Sequence, residues 1–345
     1  MVDVKEEFTR MFGYTHAEAV GKHINDLLAS ASYQEESGRL SRSVIHGERV
    51  ELDSRRRRKD GSLIDVSTLG APVEHDGKQL GIYAIYRDIT ERKKAEEARI
   101  RSQEEARMAR NIQINLLPKT GPGIPGYDLA GRNIPALNVG GDYFDFIRLD
   151  ERRVAIGVGD VSGKGLAASL VMANLQATIR SLALFDADPK DCLERANRLL
   201  FRSTDARTFV SLFYGILDAE RGTLRYANAG QGMPILFQAN EKPGHLKLRG
   251  IALGVKEDAR YEEEDIPIAV GDKILIYTDG ISEAMNASMQ EFGEGRLQTV
   301  VSESRTSTSL GRIEEILADV NAYIHDASRN DDMTVVLLKR LRSSR

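Results

Sequence analysis

Residues 154–160 read VAIGVGD, an apolar run that ends on an acid, and this pattern decides the fold expected for the second half of the chain. Similar acidic segments beside apolar residues occur at three other places: GGDYFD at 140–145, ILIYTDG at 274–280 and NDDMTVVLL at 330–338. A single Asp-Gly pair usually marks a turn. Four acidic signatures, each beside a predicted buried strand, instead predict carboxylates that a rigid sheet aims toward one concavity.

The ligand chemistry of these signatures indicates a hard divalent cation. They supply six aspartates: Asp142, Asp145, Asp160, Asp279, Asp331 and Asp332. No cysteine, and no histidine other than His325, lies within ten residues of them. Oxygen ligands without nitrogen or sulfur favour Mg²⁺ or Mn²⁺ over zinc. Two such ions that share a carboxylate can activate water and clamp a phosphoryl group.

The second half alternates strand and helix patterns, and many strands with long helices between them predict an α+β layered sandwich. Strands are predicted at 127–133, 142–148, 153–159, 209–218, 223–229, 235–238, 261–267, 273–277 and 333–340. Helices are predicted at 166–184, 189–203, 296–302 and 313–325.

Residues 1–90 form a separate unit with helices predicted at 5–12, 16–20 and 33–46 and strands at 50–57, 63–69 and 80–87. Lys-Asp-Gly-Ser at 59–62 and Asp-Gly-Lys at 76–78 are hairpin signals. The segments FGYT (12–15), RKDGS (58–62) and YRDITER (86–92) resemble a PAS sensory domain, a small α/β fold. PAS domains begin with two further strands, so we expect this sheet to be incomplete or completed by a dimer partner.

A charged helix without Gly or Pro is predicted over 89–117, in a linker of residues 91–120. A weak 3/4 seam runs through Ala95, Ala98, Ser102, Glu105, Ala109, Ile112 and Leu116. Two interpretations stay open: an exposed connector, or a marginal two-stranded coiled coil that changes register with the sensor. The Gly/Pro-rich segment 121–126 then marks the start of the second domain, residues 121–345.

The four signatures, in their order and spacing, resemble the motif set of the PPM metal-dependent Ser/Thr protein phosphatases, nearest to the bacterial SpoIIE/RsbU branch. The segment IQINLLP (112–118) is similar to the one that precedes the catalytic domain in that branch. The resemblance implies an αββα sandwich, two antiparallel sheets flanked by helices. It also implies two Mn²⁺ or Mg²⁺ ions and direct attack of an activated water on phosphoserine or phosphothreonine.

The resemblance also implies roles for individual residues. Asp160 would bridge both metals, with the carbonyl of Val161 as a further ligand. Asp279 and Asp331 would complete one metal and Asp142 would serve the other. In addition, Asp332 is the register alternative to Asp331, and Asp145 is a candidate for supporting the ligands.

For two residues, Lys164 and Gln231, the family resemblance does not give a role directly. Lys164 either contacts the phosphate or leaving oxygen, or is a solvated lysine at a helix start. Gln231 stands where the branch usually carries a histidine, and we interpret that position as structural. The substrate implied by the branch is a phosphorylated anti-sigma-factor antagonist of the STAS type.

Composition limits the remaining function classes. A net charge of −4 over 345 residues argues against broad nucleic-acid binding, and the basic run 55–59 is local. The single cysteine, Cys192, predicts a reducing compartment. With a polar start and no apolar run of membrane-spanning length, the sequence predicts a cytoplasmic protein that does not enter a membrane.

One non-enzymatic alternative stays open: a PAS-dimer signalling scaffold whose phosphatase fold is degenerate and catalytically silent. A degenerate member would be expected to lose acids, and all four signatures keep theirs. We therefore favour the enzyme, working as a homodimer through the PAS domain and the linker helix.

Overall fold

A computed structural model of the chain describes residues 1–185, 187–205, 207–238, 241–325 and 329–342. The chain divides into two compact units, Met1–Glu104 and Glu105–Arg345. Within the described residues, no helix combines the length and the apolar character needed to cross a bilayer.

The first unit is a helical segment followed by a three-stranded antiparallel sheet in the order β1-β2-β3. Its elements are α1 (Glu6–Phe12), α2 (His16–Ala19), α3 (Ile24–Leu28), a 3₁₀ turn (Ala31–Tyr33), α4 (Gln34–Ile45), β1 (Val50–Arg57), β2 (Leu63–His75) and β3 (Lys78–Asp88). Side chains from the helices and β2 share one small core, which contains Phe12, Ala19, Leu27, Leu28, Ile64 and Val66.

Local sequence signals account for most of these boundaries. Gly13 ends α1 in the left-handed conformation, with φ 79°, which costs glycine little. Asp76 and Gly77 both have positive φ between β2 and β3, as the predicted tight hairpin requires. The strand β2 continues past Leu69 through Pro72. That proline is tolerated because β1 pairs with β2 only as far as Gly70.

The sheet has three strands among the described residues, and β3 pairs only with β2. Its side chains Leu80, Ile82 and Ile85 are exposed. That the sheet is incomplete, or is completed by a dimer partner, stays a prediction.

The charged segment forms one continuous helix, α5 (Thr90–Leu116). Near its start, Arg92 pairs with Asp53 at 2.7 Å and Lys93 pairs with Asp65 at 2.8 Å, which fixes the first turn to the sheet. Along the helix most side chains are exposed, and Gln113 is the buried one. The helix is as predicted, and its pairing into a coiled coil stays a prediction.

The second unit is a sandwich of two five-stranded antiparallel sheets with helices on both outer faces. Its strands are β4 (Tyr127–Ile134), β5 (Tyr143–Arg148), β6 (Arg153–Val161), β7 (Val210–Asp218), β8 (Thr223–Ala229), β9 (Ile235–Phe237), β10 (Gly244–His245), β11 (Glu264–Pro267), β12 (Lys273–Tyr277) and β13 (Met333–Arg340). Its helices are α6 (Gly165–Leu184), α7 (Pro189–Ser203), α8 (Asp279–Ser282), α9 (Glu294–Glu303) and α10 (Ser309–Ile324).

Three apolar cores hold the four layers together. One sheet has the order β11-β8-β7-β6-β5 and the other β10-β9-β12-β13-β4. The inner faces of both sheets share a core that includes Ile156, Phe213 and Val336. Helices α6 and α7 cover the first sheet, and α9 and α10 cover the second. The predicted α+β sandwich, in its αββα form, is confirmed.

Candidate metal centre

Strand register brings the four acidic signatures together in two pairs. In the β5–β6 hairpin Tyr143 faces Gly159, so Asp142, directly before β5, lies beside Asp160 near the end of β6. In the other sheet Tyr277 of β12 faces Val335 of β13, which places Asp279 and Asp331 at one end of those strands. The Thr278 hydroxyl, directly before Asp279, donates a hydrogen bond to Asp142, so the two pairs share one site.

Asp142 is a buried carboxylate held by a threonine bridge between the sheets. Its Oδ2 accepts a hydrogen bond of 2.7 Å from the Thr278 hydroxyl, which itself accepts one of 3.0 Å from the backbone N–H of Thr334. Burial, and then repulsion from Asp160, raise the pKa of Asp142 well above its usual range. The site therefore concentrates negative charge where water cannot disperse it.

Asp160 lies at the centre of this charge. Burial first, and then repulsion from Asp279, Asp331 and Asp332, together raise its pKa to about 7. Burial and the neighbouring Asp331 also raise the pKa of Asp279, against a smaller lowering by Lys164. Like charges held together in this way favour either bound protons or a bound cation.

The adjacent acids Asp331 and Asp332 have different surroundings. Asp332 is buried, and its two carboxylate oxygens accept hydrogen bonds of 2.7 Å from the backbone N–H groups of Ala136 and Gly141. The Asp331 side chain is 42% exposed and pairs with Lys164. Asp332 thus braces the loop before Asp142, whereas Asp331 offers its carboxylate to the site.

Two glycines of the acidic signatures, Gly140 and Gly280, allow the backbone to lie very close to Asp332. A Cβ on Gly280 would lie 1.9 Å from the carbonyl oxygen of Asp332, and a Cβ on Gly140 would lie 2.2 Å from its Oδ2. Such distances are far inside van der Waals contact. The glycines of these signatures therefore serve packing around Asp332 as well as turn formation.

Gln113 at the end of α5 is a contributor that the sequence interpretation missed. It is buried, its Nε2 donates 2.7 Å to the carbonyl of Gly140, and its Oε1 accepts 3.1 Å from the N–H of the same residue. The amide therefore holds both polar groups of a residue two positions before Asp142. The similarity of residues 112–118 to a family segment points to this part of the chain but predicts no role for a particular residue.

Lys164 lies at the rim of the site. Its Nζ is 3.0 Å from Asp331 Oδ2, and it donates a hydrogen bond to the carbonyl of Asn330. The side chain is 46% exposed. Lys164 directly precedes α6, is about half exposed and also contacts Asp331, and its contact with phosphate stays a prediction.

Asp145 and Gln231 hold the surrounding framework. Asp145 is buried and receives two hydrogen bonds from Arg180, at 2.7 and 3.0 Å. Gln231 is buried as well, and its Nε2 donates 3.0 Å to the carbonyl of Tyr277. Both side chains connect elements that flank the site, which agrees with structural roles.

The candidate ligands are carboxylates, which suit a hard cation, although in their present positions the side chains do not surround one. All candidate side-chain ligands are carboxylates, and the main opposing cation at the site is the half-exposed Lys164. Within the described part of the chain, however, no three Asp, Glu, His or Cys side chains are grouped closely enough to hold a metal as they stand.

Comparison with known proteins gives two family matches. Residues 150–341 match the family model described as Stage II sporulation protein E (SpoIIE), and residues 1–91 match a PAS domain model. The chain is 27% identical over 239 residues to the phosphoserine phosphatase RsbU of Bacillus subtilis (strain 168), covering 68% of this chain and 70% of that protein. It spans less than half of two further curated relatives.

Solved structures share the fold. The SiaA-PP2C domain of Pseudomonas aeruginosa superposes with a TM-score of 0.62 at 22% identity, covering 70% of this chain and 98% of that one. The RsbU and RsbW domains of Rv1364c from Mycobacterium tuberculosis give a TM-score of 0.53 at 24% identity, covering 64% of this chain and 62% of that one. At these sequence identities, the similarity shows a shared fold alone.

Proposed function

The chain belongs to the SpoIIE family, and from this premise we propose that it is a PAS-regulated protein serine/threonine phosphatase that depends on divalent metal ions. The observation that carries the proposal is the cluster of carboxylates at the strand ends, in which Asp160 has its pKa raised to about 7 by burial and by three neighbouring acids. Clustered acids of this kind are typical of functional sites.

We assign the metal ligands from the surroundings of each carboxylate. Asp160 is central and would be shared by two ions, with Asp279 and Asp331 completing one and Asp142 serving the other. The carbonyl of Val161 is a further candidate ligand. Two Mn²⁺ or Mg²⁺ ions, when bound, would supply an activated water and neutralise phosphoryl oxygens. We place Asp332 outside the ligand set because both of its oxygens hold backbone amides.

The reaction we propose is hydrolysis of a phosphoserine or phosphothreonine ester. The oxygen of water forms the new bond to phosphorus, the bond to the side-chain oxygen breaks, and that oxygen takes up a proton. The protein contributes by holding its carboxylates in fixed positions, since Thr278 anchors Asp142 and Asp332 anchors the loop before it. Such preorganisation lowers the cost of reaching the transition state.

The test is Mn²⁺-dependent release of phosphate from a phosphoserine peptide and from p-nitrophenyl phosphate. We expect wild-type protein to be active and Asp160→Asn to lose activity by more than about 100-fold, since the shared ligand is removed. The matched control is Asp258→Asn, a highly exposed aspartate in a surface loop. Full activity in Asp160→Asn would exclude the assigned centre.

The scaffold alternative makes the opposite prediction. A catalytically silent PAS dimer would release no phosphate with Mn²⁺ or Mg²⁺ from any substrate, yet would still bind partner proteins. The retention of every carboxylate in the cluster supports the enzyme over this alternative.

The substrate and the regulation are finer parts of the proposal. We propose a phosphorylated STAS-type anti-sigma-factor antagonist as substrate, which can be tested by dephosphorylation of candidate phosphoproteins. We also propose that a homodimer, formed through the PAS domain and α5, controls the site through Gln113, whose amide holds Gly140 beside Asp142. A Gln113→Ala variant with unchanged activity and unchanged response to the sensor would exclude this route.

A further inference from the structure

Lys164, a cation at the rim of the acidic cluster, has no role in the function proposed above. Lys164 places its Nζ 3.0 Å from Asp331 Oδ2 and also donates to the carbonyl of Asn330. A lysine ammonium has three N–H donors, so these contacts leave one for a ligand. Because 46% of the side chain is exposed, a ligand can reach that donor from solvent.

The charge of the site explains why such a donor is needed. A phosphate monoester carries between about 1.5 and 2 negative charges near neutral pH, and the carboxylates that surround the site repel it. Lys164 counters this field at the rim, since its ammonium lies 3.0 Å from the Asp331 carboxylate. A cation at this place therefore offsets part of the repulsion that an incoming phosphate meets.

A second cation nearby is directed elsewhere. Arg329 lines a small pocket of about 70 Å³ beside Asp331, but its guanidinium donates a hydrogen bond of 3.1 Å to the Asn321 side chain on α10. Arg329 is thus a neighbour of the cluster with similar charge and different contacts, which makes it a suitable control.

Resting on the phosphatase function proposed above, we propose that Lys164 binds the substrate directly, by donating a hydrogen bond from Nζ to a non-bridging oxygen of the phosphoryl group. Its contact with Asp331 keeps the ammonium beside the proposed metal ligands. No bond forms or breaks at Nζ, and no proton is transferred there. A compact charge on a flexible stem is a common way for proteins to bind phosphate.

The experiment compares Lys164→Met, Lys164→Arg and the control Arg329→Met with wild type. Binding of inorganic phosphate to the Mn²⁺-loaded protein is measured by calorimetry, together with Mn²⁺ affinity, thermal stability and the KM for p-nitrophenyl phosphate. We expect Lys164→Met to weaken phosphate binding by about 10- to 100-fold, the usual effect of losing a hydrogen bond to a charged group. We expect Mn²⁺ to bind at least as tightly, because a cation that competes for Asp331 is removed.

Other outcomes overturn the proposal. If Lys164 only clamps the loop at Asn330 and Asp331, Lys164→Met will lower the melting temperature and weaken Mn²⁺ binding while phosphate affinity per loaded site stays the same. An equal loss of phosphate affinity in Arg329→Met would show a general charge effect. If wild type neither binds Mn²⁺ nor hydrolyses phosphoesters, the phosphatase function fails. If wild type is active and Lys164→Met binds phosphate normally, only the Lys164 proposal fails.

Discussion

Substitution of the neighbouring acids Asp331 and Asp332 by alanine is expected to have separable effects, because one faces the site and the other braces the backbone. In Asp332→Ala, the N–H groups of Ala136 and Gly141 lose their acceptors at 2.7 Å. Each hydrogen bond to a charged group contributes about 1.5–3 kcal/mol. Relief of repulsion with Asp160 returns about 1 kcal/mol. The net loss in the free energy of unfolding is therefore about 2–5 kcal/mol.

The same reasoning predicts a small stability change for Asp331→Ala. This side chain is 42% exposed, accepts one local hydrogen bond of 2.9 Å from the next backbone N–H, and forms a partly exposed ion pair. An ion pair of that kind contributes about 0–1 kcal/mol. We expect Asp331→Ala to melt within a few degrees of wild type but to lose more than about 100-fold in Mn²⁺-dependent activity, as a lost metal ligand should.

The assay is thermal unfolding in the presence of a chelator, combined with p-nitrophenyl phosphate hydrolysis at saturating Mn²⁺. For a domain of this size, each kcal/mol shifts the melting temperature by about 2–4 °C, so Asp332→Ala should melt about 4–20 °C below wild type. Asp332→Asn, which keeps one acceptor oxygen, should fall between the two. If Asp332→Ala melts with wild type while Asp331→Ala unfolds early, the assignment of brace and ligand is reversed.

Three further predictions follow from named contacts. Arg180→Met leaves the buried Asp145 carboxylate without its main partner and should cost about 3 kcal/mol in a denaturant titration, whereas an effect near zero would show that the pair is not maintained in solution. Because burial and like charges raise the pKa of Asp160 to about 7, protons compete with the cation for this carboxylate. The Mn²⁺ affinity measured by calorimetry should therefore rise from about pH 6 to about pH 8, and a pH-independent affinity would contradict the assignment. Ionisation of the same group should lower the stability of the metal-free protein as the pH rises from about 4 to about 7. Gly280→Ala adds a Cβ 1.9 Å from a backbone oxygen and should lower both the melting temperature and Mn²⁺ binding, while the control Gly295→Ala, which meets open space, should leave Mn²⁺ binding intact.

Most strands and helices could be predicted because their apolar periodicity is local. The strand 223–229 and the helix 189–203 have the predicted bounds. Boundaries were wrong where a cap or a partner strand decides them. Helix α10 begins at Ser309 rather than 313 because the Thr308 hydroxyl accepts a hydrogen bond from the N–H of Gly311. The short α3 and β10 were missed since neither has enough residues for a periodic signal.

The candidate site was only partly predictable for a related reason. Acids at strand ends are visible in the sequence, and so is the likelihood that a sheet gathers them. The difference between Asp331 and Asp332 is not visible, because it depends on two amides that lie about 190 residues earlier in the chain. The same holds for Gln113, whose partner Gly140 is 27 residues away. Nothing in a local pattern reports such contacts.

The order of the strands has a consequence for synthesis of the protein. Strand β13 lies between β12 and β4, and it directly follows Asp331 and Asp332. A ribosome-bound chain that lacks these residues has an interrupted second sheet and no brace for the loop before Asp142. At about 5–20 residues per second, Asp142 and Asp160 wait roughly 10–40 seconds for their last partners. Nascent chains should therefore be unable to hydrolyse phosphoproteins until translation has passed β13.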